Sequence, residues 1–348
     1  MPADGAPERA RVLVTGTGGP SGVGVMRALA GAAVDIVSGD IDPYAAGLYL
    51  VPEADRVLLP RGDDPGFVDA IVAHCEQRGI DVVVPTVDTE LLPLALRRDE
   101  LLQQGIRLVL ASADTLRCCL DKWTLLQRCA PTVRVPASAV IDEHFDAGAW
   151  PLPAIVKPRA GSGSRGVRLV RERAELDTVP RDGTLLAQEH LPGLEHSLDV
   201  LARADGRVVA VVPRARLKID SGIAVTGRTI ADPALQDIGR AVAERIGLTT
   251  VANVQVKADA EGNPALLEVN ARFPGTMPLT VASGINMPRL AVEEALGTPI
   301  PDELPPFKEL AMVRFLDDRF FGLDELARAE AAARAVAGGD PVSGAVDA

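Results

Sequence analysis

Short apolar runs alternate with longer amphipathic stretches over the first third of the chain. Residues 11–15 (Arg-Val-Leu-Val-Thr), 34–38, 56–59, 81–85 and 107–111 are clusters rich in Val, Leu and Ile. Residues 21–30, 67–78 and 89–104 between them have the length and spacing of helices. Apolar strands separated by helices of this length predict a parallel, doubly wound α/β sheet.

From about residue 113 the pattern changes. A helix over 121–130 is closed by Pro131, and residues 113–136 read as a connecting region. A strand ending at Lys157-Pro158 and another over 167–170 flank a Gly/Ser-rich loop, which predicts an antiparallel hairpin. Strands over 197–203 and 207–218 are joined at Ala204-Asp205-Gly206. A helix begins with Asp232 as cap and Pro233 in its first turn and stops at Gly247. This half reads as α+β with antiparallel strands. Residues 322–348 read as one helix and a frayed tail.

Two alternating runs, 251–257 and 266–272, flank a turn at Asp259–Pro264. Side chains in a strand repeat with period two, so Asn253 and Gln255 share a face, as do Glu268, Asn270 and Arg272. Val254, Val256, Leu267 and Val269 are assigned to the opposite, core face. One carboxylate, several amides and a guanidinium suit Mg²⁺ bound to phosphate, because Mg²⁺ takes oxygen ligands and only one or two carboxylates. A half-buried hairpin with its polar face in water shows the same alternation.

Composition narrows the classes. The net charge of −12 argues against nucleic acid as the main partner. The first ten residues lack the form of a signal peptide and no apolar run is long enough to span a bilayer, so the expectation is a cytoplasmic protein without a membrane partner. Cys75, Cys118, Cys119 and Cys129 show no metal or redox spacing and are expected as reduced thiols. The chain has 31 Arg and only 5 Lys. Where it keeps lysine, as at Lys122 and Lys157, a compact ammonium is the candidate reason.

The loop after Lys157 carries Gly161, Ser162, Gly163, Ser164 and Gly166. Its glycines would let backbone N–H groups approach phosphate oxygens, the serines can donate, and Lys157 supplies a point charge. The spacing is not that of a Walker loop. Gln188-Glu189-His190-Leu191 offers strand backbone to an adenine edge, and Glu195 can accept from ribose hydroxyls. Arg214, Arg216 and Lys218 alternate on one strand and are candidates for a substrate carboxylate or a γ-phosphate. Gly275-Thr276 opens a helix whose N-terminus is a candidate anion site. Asp88 and Glu90 follow a strand's carboxyl end, where they would meet an amine, or Asp88 would cap a helix. The glycine-rich turn 16–24, with Asp40 beyond it, is a weak dinucleotide fingerprint.

Taken in order, these stretches resemble the ATP-grasp superfamily, and within it the branch typified by the carbamoyl phosphate synthase large subunit. The matching segments are 14–20, 39–43, 84–91, Asp121-Lys122, 156–167, 188–195, and Gln255 with Glu268-Val-Asn270-Ala-Arg272. The resemblance implies a pre-ATP-grasp Rossmann-like domain over 1–112, an ATP-grasp lid over 113–185, a C-terminal ATP-grasp subdomain over 186–321 and the tail. Lys122 and Lys157 would contact ATP phosphates under the 161–166 loop. Glu189 and Leu191 would present backbone to adenine, and Glu195 would hold ribose. Glu268, with Gln255 and Asn270, would hold Mg²⁺ or Mn²⁺, two ions in the usual arrangement. Many members carry an acid where Gln255 stands. Arg272, with Lys157 and Arg216, would steady the transferred phosphoryl group.

The implied reaction is ATP-dependent joining of a small-molecule carboxylate to an amine through an acyl phosphate, with a homodimer as the candidate assembly. Three alternatives fit the sequence as well: phosphorylation of bicarbonate or carbamate, an NAD-dependent oxidoreductase using the 14–40 turn, and a non-catalytic nucleotide-binding regulator.

Overall fold

The computed structural model describes residues 9–161, 163, 165–220 and 223–336. The first apolar runs form β1 (Ala10–Val14), β2 (Val34–Asp40), β3 (Arg56–Leu58), β4 (Val82–Val84) and β5 (Arg107–Leu108). All pair in parallel, in the order β3-β2-β1-β4-β5. Val12, Leu13 and Val14 at the centre and Val82, Val83 and Val84 beside them are fully buried. Each is worth about 1.5–3 kcal/mol against exposure, and burial on both faces explains why these strands read as continuous apolar runs.

Two helices, Asp88–Leu96 and Arg98–Gln103, replace the single one expected over 89–104. Arg97 leaves helical geometry between them at φ −107°, ψ 15°. Its guanidinium pairs with both Asp69 and Glu100, which holds the offset.

The second half contains two antiparallel sheets. β6 (Ser138–Val140), β7 (Ala154–Pro158), β8 (Arg168–Val170) and β9 (Leu185–Glu189) form a four-stranded sheet in the order β6-β9-β7-β8. Its core packs Ile141, Phe145, Val156, Val170 and Leu176. β10 (Glu195–Ala202), β11 (Val208–Asp220), β12 (Ile223–Thr229), β13 (Val251–Ala258), β14 (Pro264–Asn270) and β15 (Ala311–Val313) form a six-stranded sheet in the order β14-β13-β10-β11-β12-β15.

The helix Pro233–Ile246 covers one face of the larger sheet. It is capped by Asp232, which accepts from Ala234 N and Leu235 N, and ended by Gly247. Gly239 lets it lie close: a Cβ there would stand 2.6 Å from Val211 and 3.4 Å from Val200. Period two therefore sends Ser197, Asp199, Arg214, Asn253 and Gln255 to the opposite face.

The chain folds into two compact units. One comprises the residues up to Val109, Pro288–Thr298 and those from Leu316 on; the other comprises Leu110–Met287 and Pro299–Phe315. The first unit thus includes the helix Leu323–Val336, tied by Glu325 to Arg56 at 2.7 Å, Arg328 to Glu53 at 2.7 Å and Glu330 to Tyr44 at 2.9 Å. Every cysteine is buried and free, and burial pushes the Cys75 and Cys129 thiols up to about 12. Among the described residues no helix is long and apolar enough to cross a membrane.

Candidate active site

The glycine-rich turn 16–24 is filled by its own structure. A Cβ on Gly22 would stand 2.5 Å from Gly16 O and 2.7 Å from Thr17 Cα. The Asp40 carboxylate accepts from Gly18 N at 2.6 Å, so the turn itself uses the acid that a dinucleotide ribose would need. Behind the turn Glu90 is buried. Its Oε2 accepts from the Thr15 hydroxyl at 2.5 Å and from Val87 N at 3.3 Å, and burial raises its carboxyl to about 7. Glu90 thus braces the turn and caps a helix rather than meeting an amine, and the cap position is Val87, not Asp88.

In the second unit, side chains from both antiparallel sheets line a cavity of about 300 Å³. Ile155 of β7 and Leu169 of β8, paired across the small sheet, and Leu267 of β14 are apolar parts of its lining. Lys122, Lys157, Gly161, Gln188, Glu189, His190, Leu191, Glu195, Arg216, Gln255 and Glu268 also line it, bringing most of the sequence-selected residues together. A cavity of about 290 Å³ in the first unit has charged walls that are paired internally, Arg56 with Glu325 and Arg328 with Glu53. The two buried lysines single out the first cavity.

Local structure places each lysine. Asp121 caps the helix Lys122–Cys129, accepting from Trp123 N and Thr124 N, and binds Arg159 at 2.6 Å. Lys122 N then donates to Arg159 O, while its Nζ donates to Gly161 O at 2.6 Å and lies 3.9 Å from Glu268. Lys157 is buried on β7. Burial pushes its ammonium down to about 8; Glu268 opposes the shift and Lys122 adds to it. Two cations thus share one carboxylate in a desolvated pocket, an arrangement that an anion would complete.

On the large sheet, Ser197 stands opposite Arg214 on one side and Gln255 on the other, and Gln255 stands opposite Glu268. Asp199, Asn253 and Asn270 form the next row. A bulge after Gln255 pairs Val256 with Leu266 and leaves Leu267 as the extra residue. That corrects the expected assignment: Leu266 is the core residue and Leu267 turns onto the cavity wall beside Glu268.

The amides are oriented. Asn253 Nδ2 donates to Asp199, Gln255 Nε2 donates to Asn253 Oδ1 at 3.4 Å, and Asn270 Nδ2 donates to Glu268 at 3.4 Å. Gln255 thus turns its nitrogen to Asn253, and Asn270 turns its nitrogen to Glu268. No cluster of three His, Cys, Asp or Glu suited to a metal occurs among the described residues. One carboxylate with the Gln255 amide opposite it nevertheless fits a hard cation that takes its other ligands from phosphate.

Other expectations are altered. Arg214 is no substrate ligand: it is 2% exposed and makes a two-pronged ion pair with Asp199, which is fully buried. Register shifts around Lys218 break the expected alternation of Arg214, Arg216 and Lys218. Arg216 pairs with Glu195, so the expected ribose ligand and phosphate ligand meet each other. Glu189 turns its carboxylate to Arg134 and Ala137 N, and its own N–H donates to Ala137 O. Asn270, Arg272, Gly163 and Gly166 are not among the cavity's lining residues. The helix after Gly275 is only Met277–Ala282. Ser162 and Ser164, like Ser221 and Gly222, lie outside the described residues.

Lys257 and Arg165 also line the cavity and were missed by sequence reasoning. Period two from Gln255 would have found Lys257. Gln188 gains a direction as well: Ser138 donates its hydroxyl hydrogen to Pro136 O, so its oxygen accepts from Gln188 Nε2 at 2.9 Å. The Gln188 Oε1 is then the amide's acceptor at the cavity wall.

Residues 17–109 match the PylC-like N-terminal domain, and residues 181–318 match a family described as ATP-grasp in the biosynthetic pathway with Ter operon. A 3-methyl-D-ornithine–L-lysine ligase from Methanosarcina mazei is 31% identical over 140 residues, 39% of this chain and 36% of that protein. A D-alanine–D-alanine ligase from Thermotoga sp. is 28% identical over 119 residues, 33% of this chain and 39% of that protein. The matches thus span well under half of the length of these relatives. Among solved structures, N5-carboxyaminoimidazole synthetase from Staphylococcus aureus complexed with ADP superposes with a TM-score of 0.71 at 15% identity, covering 88% of this chain and 82% of that one. The parallel sheet, the two antiparallel sheets after it and the two family matches, over residues 17–109 and 181–318, agree on the ATP-grasp superfamily.

Proposed function

We propose that the protein is an ATP-dependent carboxylate–amine ligase. One observation carries the reading: Lys122 and Lys157, both buried, converge with Glu268 in a cavity with apolar walls from two sheets. The walls of Ile155, Leu169 and Leu267 suit a purine ring, and Gln188 Oε1 suits an exocyclic amino group. Glu195 and Arg216 would exchange their mutual pair for ribose and phosphate. Lys122 and Lys157 would neutralise the phosphates under the 161–166 loop.

The carboxylate substrate attacks the γ-phosphorus of ATP, forming an acyl phosphate as ADP leaves. The amine then attacks the acyl carbon, inorganic phosphate departs, and a proton is lost from nitrogen as the amide forms. The protein lowers the barrier by in-line positioning and charge neutralisation. We assign Arg272 to the transferred phosphoryl group. Glu268, with Gln255 and Asn270, would hold two Mg²⁺ ions together with phosphate oxygens. Bound there, Mg²⁺ would supply Lewis-acid neutralisation of the phosphates.

A screen of carboxylate and amine pairs that reads ADP release tests the reaction. Glu268→Ala is expected to abolish turnover, a loss of at least about 10²–10³-fold, with an unchanged melting profile. No ADP release by the wild type with any pair, despite MgATP binding, would leave a nucleotide-binding regulator. Near-normal turnover in Glu268→Ala would overturn the site assignment.

A further inference from the structure

The sheet face that carries Gln255 and Glu268 also carries a sealed polar cluster. All four hydrogen bonds available to the Asp199 carboxylate are made. Arg214 Nε and Thr280 Oγ1 donate to Oδ2 at 2.9 and 2.5 Å, and Arg214 Nη2 and Asn253 Nδ2 donate to Oδ1 at 2.6 and 2.8 Å. Arg214 Nη1 donates in addition to Thr276 Oγ1 at 2.5 Å. Asp199, Arg214, Asn253, Thr276 and Thr280 are all buried. Three of them come from adjacent strands β11, β10 and β13; the threonines come from the segment that follows Arg272.

We infer that this cluster is the positioning device of the metal and phosphoryl site. It acts through two connections. Because Asp199 accepts only, Asn253 must turn its Nδ2 inward and its Oδ1 toward Gln255. Gln255 then gives its Nε2 to Asn253 and stands opposite Glu268 on the sheet. The buried carboxylate thus sets the polarity of an amide one row away, which decides whether that amide can face a cation. Along the second connection, Thr276 and Thr280 pin residues 276–280 to the sheet and thereby fix the short turn 271–275 that begins with Ala271-Arg272. Neither threonine lines the cavity, so their effect on chemistry runs through what they hold.

The inference rests on the nucleotide reading for the metal, so its test does not depend on turnover. Calorimetric titration of Mg²⁺ into protein with ADP, and amide hydrogen exchange over 271–282, are read for the wild type, Asn253→Ala, Thr280→Val and Thr280→Ser. Asn253→Ala is expected to weaken Mg²⁺ binding about 10–100-fold, the usual cost of removing a residue that orients a metal ligand. Thr280→Val, which keeps shape and loses the donor, is expected to raise exchange at 271–276 about tenfold, and Thr280→Ser to restore it. Wild-type Mg²⁺ affinity in folded Asn253→Ala, or wild-type exchange in Thr280→Val, would overturn the inference. Failure of the wild type to bind Mg²⁺ and ADP overturns the nucleotide reading instead, and the exchange measurement still decides the positioning role.

Discussion

Two glycine-rich turns, 16–24 and 161–166, look alike in the sequence and serve opposite ends. In the first, glycine is required because backbone fills the space: a Cβ on Gly22 would meet Gly16 O at 2.5 Å. In the second, Cβ atoms added to Gly161 or Gly163 would meet nothing within 4 Å. Each turn also lies near a buried ionisable group. Near the first, Glu90 is pushed up to about 7; near the second, Lys157 is pushed down to about 8, and burial is the leading cause in both. Glu90 faces its own hydroxyl and amide donors, whereas Lys157 faces a cavity. Glycine content therefore does not identify a ligand site; what surrounds the absent side chain does.

The largest effect that would sharpen this contrast is expected at Gly22. Gly22→Ala forces the methyl onto backbone that cannot swing aside, and a loss of about 3 kcal/mol is expected from such overpacking. Urea denaturation followed by circular dichroism measures it. A variant within about 0.5 kcal/mol of the wild type, the range of an innocuous surface change, would mean that the turn has slack, and a packing role for its glycines would fail.

Much of this was legible from period and punctuation. The five parallel strands follow from apolar runs spaced by helices, and the hairpin of β13 and β14 from two alternating runs around Asp259–Pro264. Asp232, Pro233 and Gly247 announced their helix by capping chemistry alone. What stayed hidden depended on register. One extra residue in β14 put Leu267 on the cavity wall, and no local pattern marks such a bulge. Arg214 and Arg216 look equivalent in sequence, yet the strand partners decide that one meets Asp199 and the other Glu195. The charge state of a site needs the partners across the sheet, which lie 15 and 21 residues away in the chain.

The next effect concerns Glu90. Its carboxyl titrates higher in the folded chain than its ordinary value of 4.5, at about 7, so the folded state binds the proton more tightly. Stability from this group is complete below about pH 4.5 and is lost as pH rises through about 7. The total is about 3.5 kcal/mol, from roughly 1.4 kcal/mol per pH unit, of which about 2–3 kcal/mol falls between pH 5 and pH 8. Glu90→Gln keeps a carbonyl oxygen for Thr15 and Val87 and removes the ionisation. It is expected to match the wild type near pH 5 and to exceed it by that amount near pH 8. Denaturation midpoints at the two pH values check this, and equal slopes for both proteins would show that Glu90 is not held in a dry site.

The smallest change in stability, and the most discriminating one, is expected at Gly163. Its φ of +72° is costly for an alanine, about 1 kcal/mol, but nothing stands in the way of the methyl. The unfolded chain also loses freedom with alanine, which offsets part of that cost. Gly163→Ala should therefore melt close to the wild type. Its nucleotide affinity is expected to fall about fivefold, since roughly 1 kcal/mol of backbone strain falls on the conformation that would turn N–H groups toward phosphate. Fluorescence titration with MgATP beside a thermal melt separates the two quantities. Gly22→Ala should move the melt, and Gly163→Ala the titration. If Gly163→Ala binds MgATP like the wild type, the open turn is only a turn, and the phosphates must be held by Lys122 and Lys157 without it.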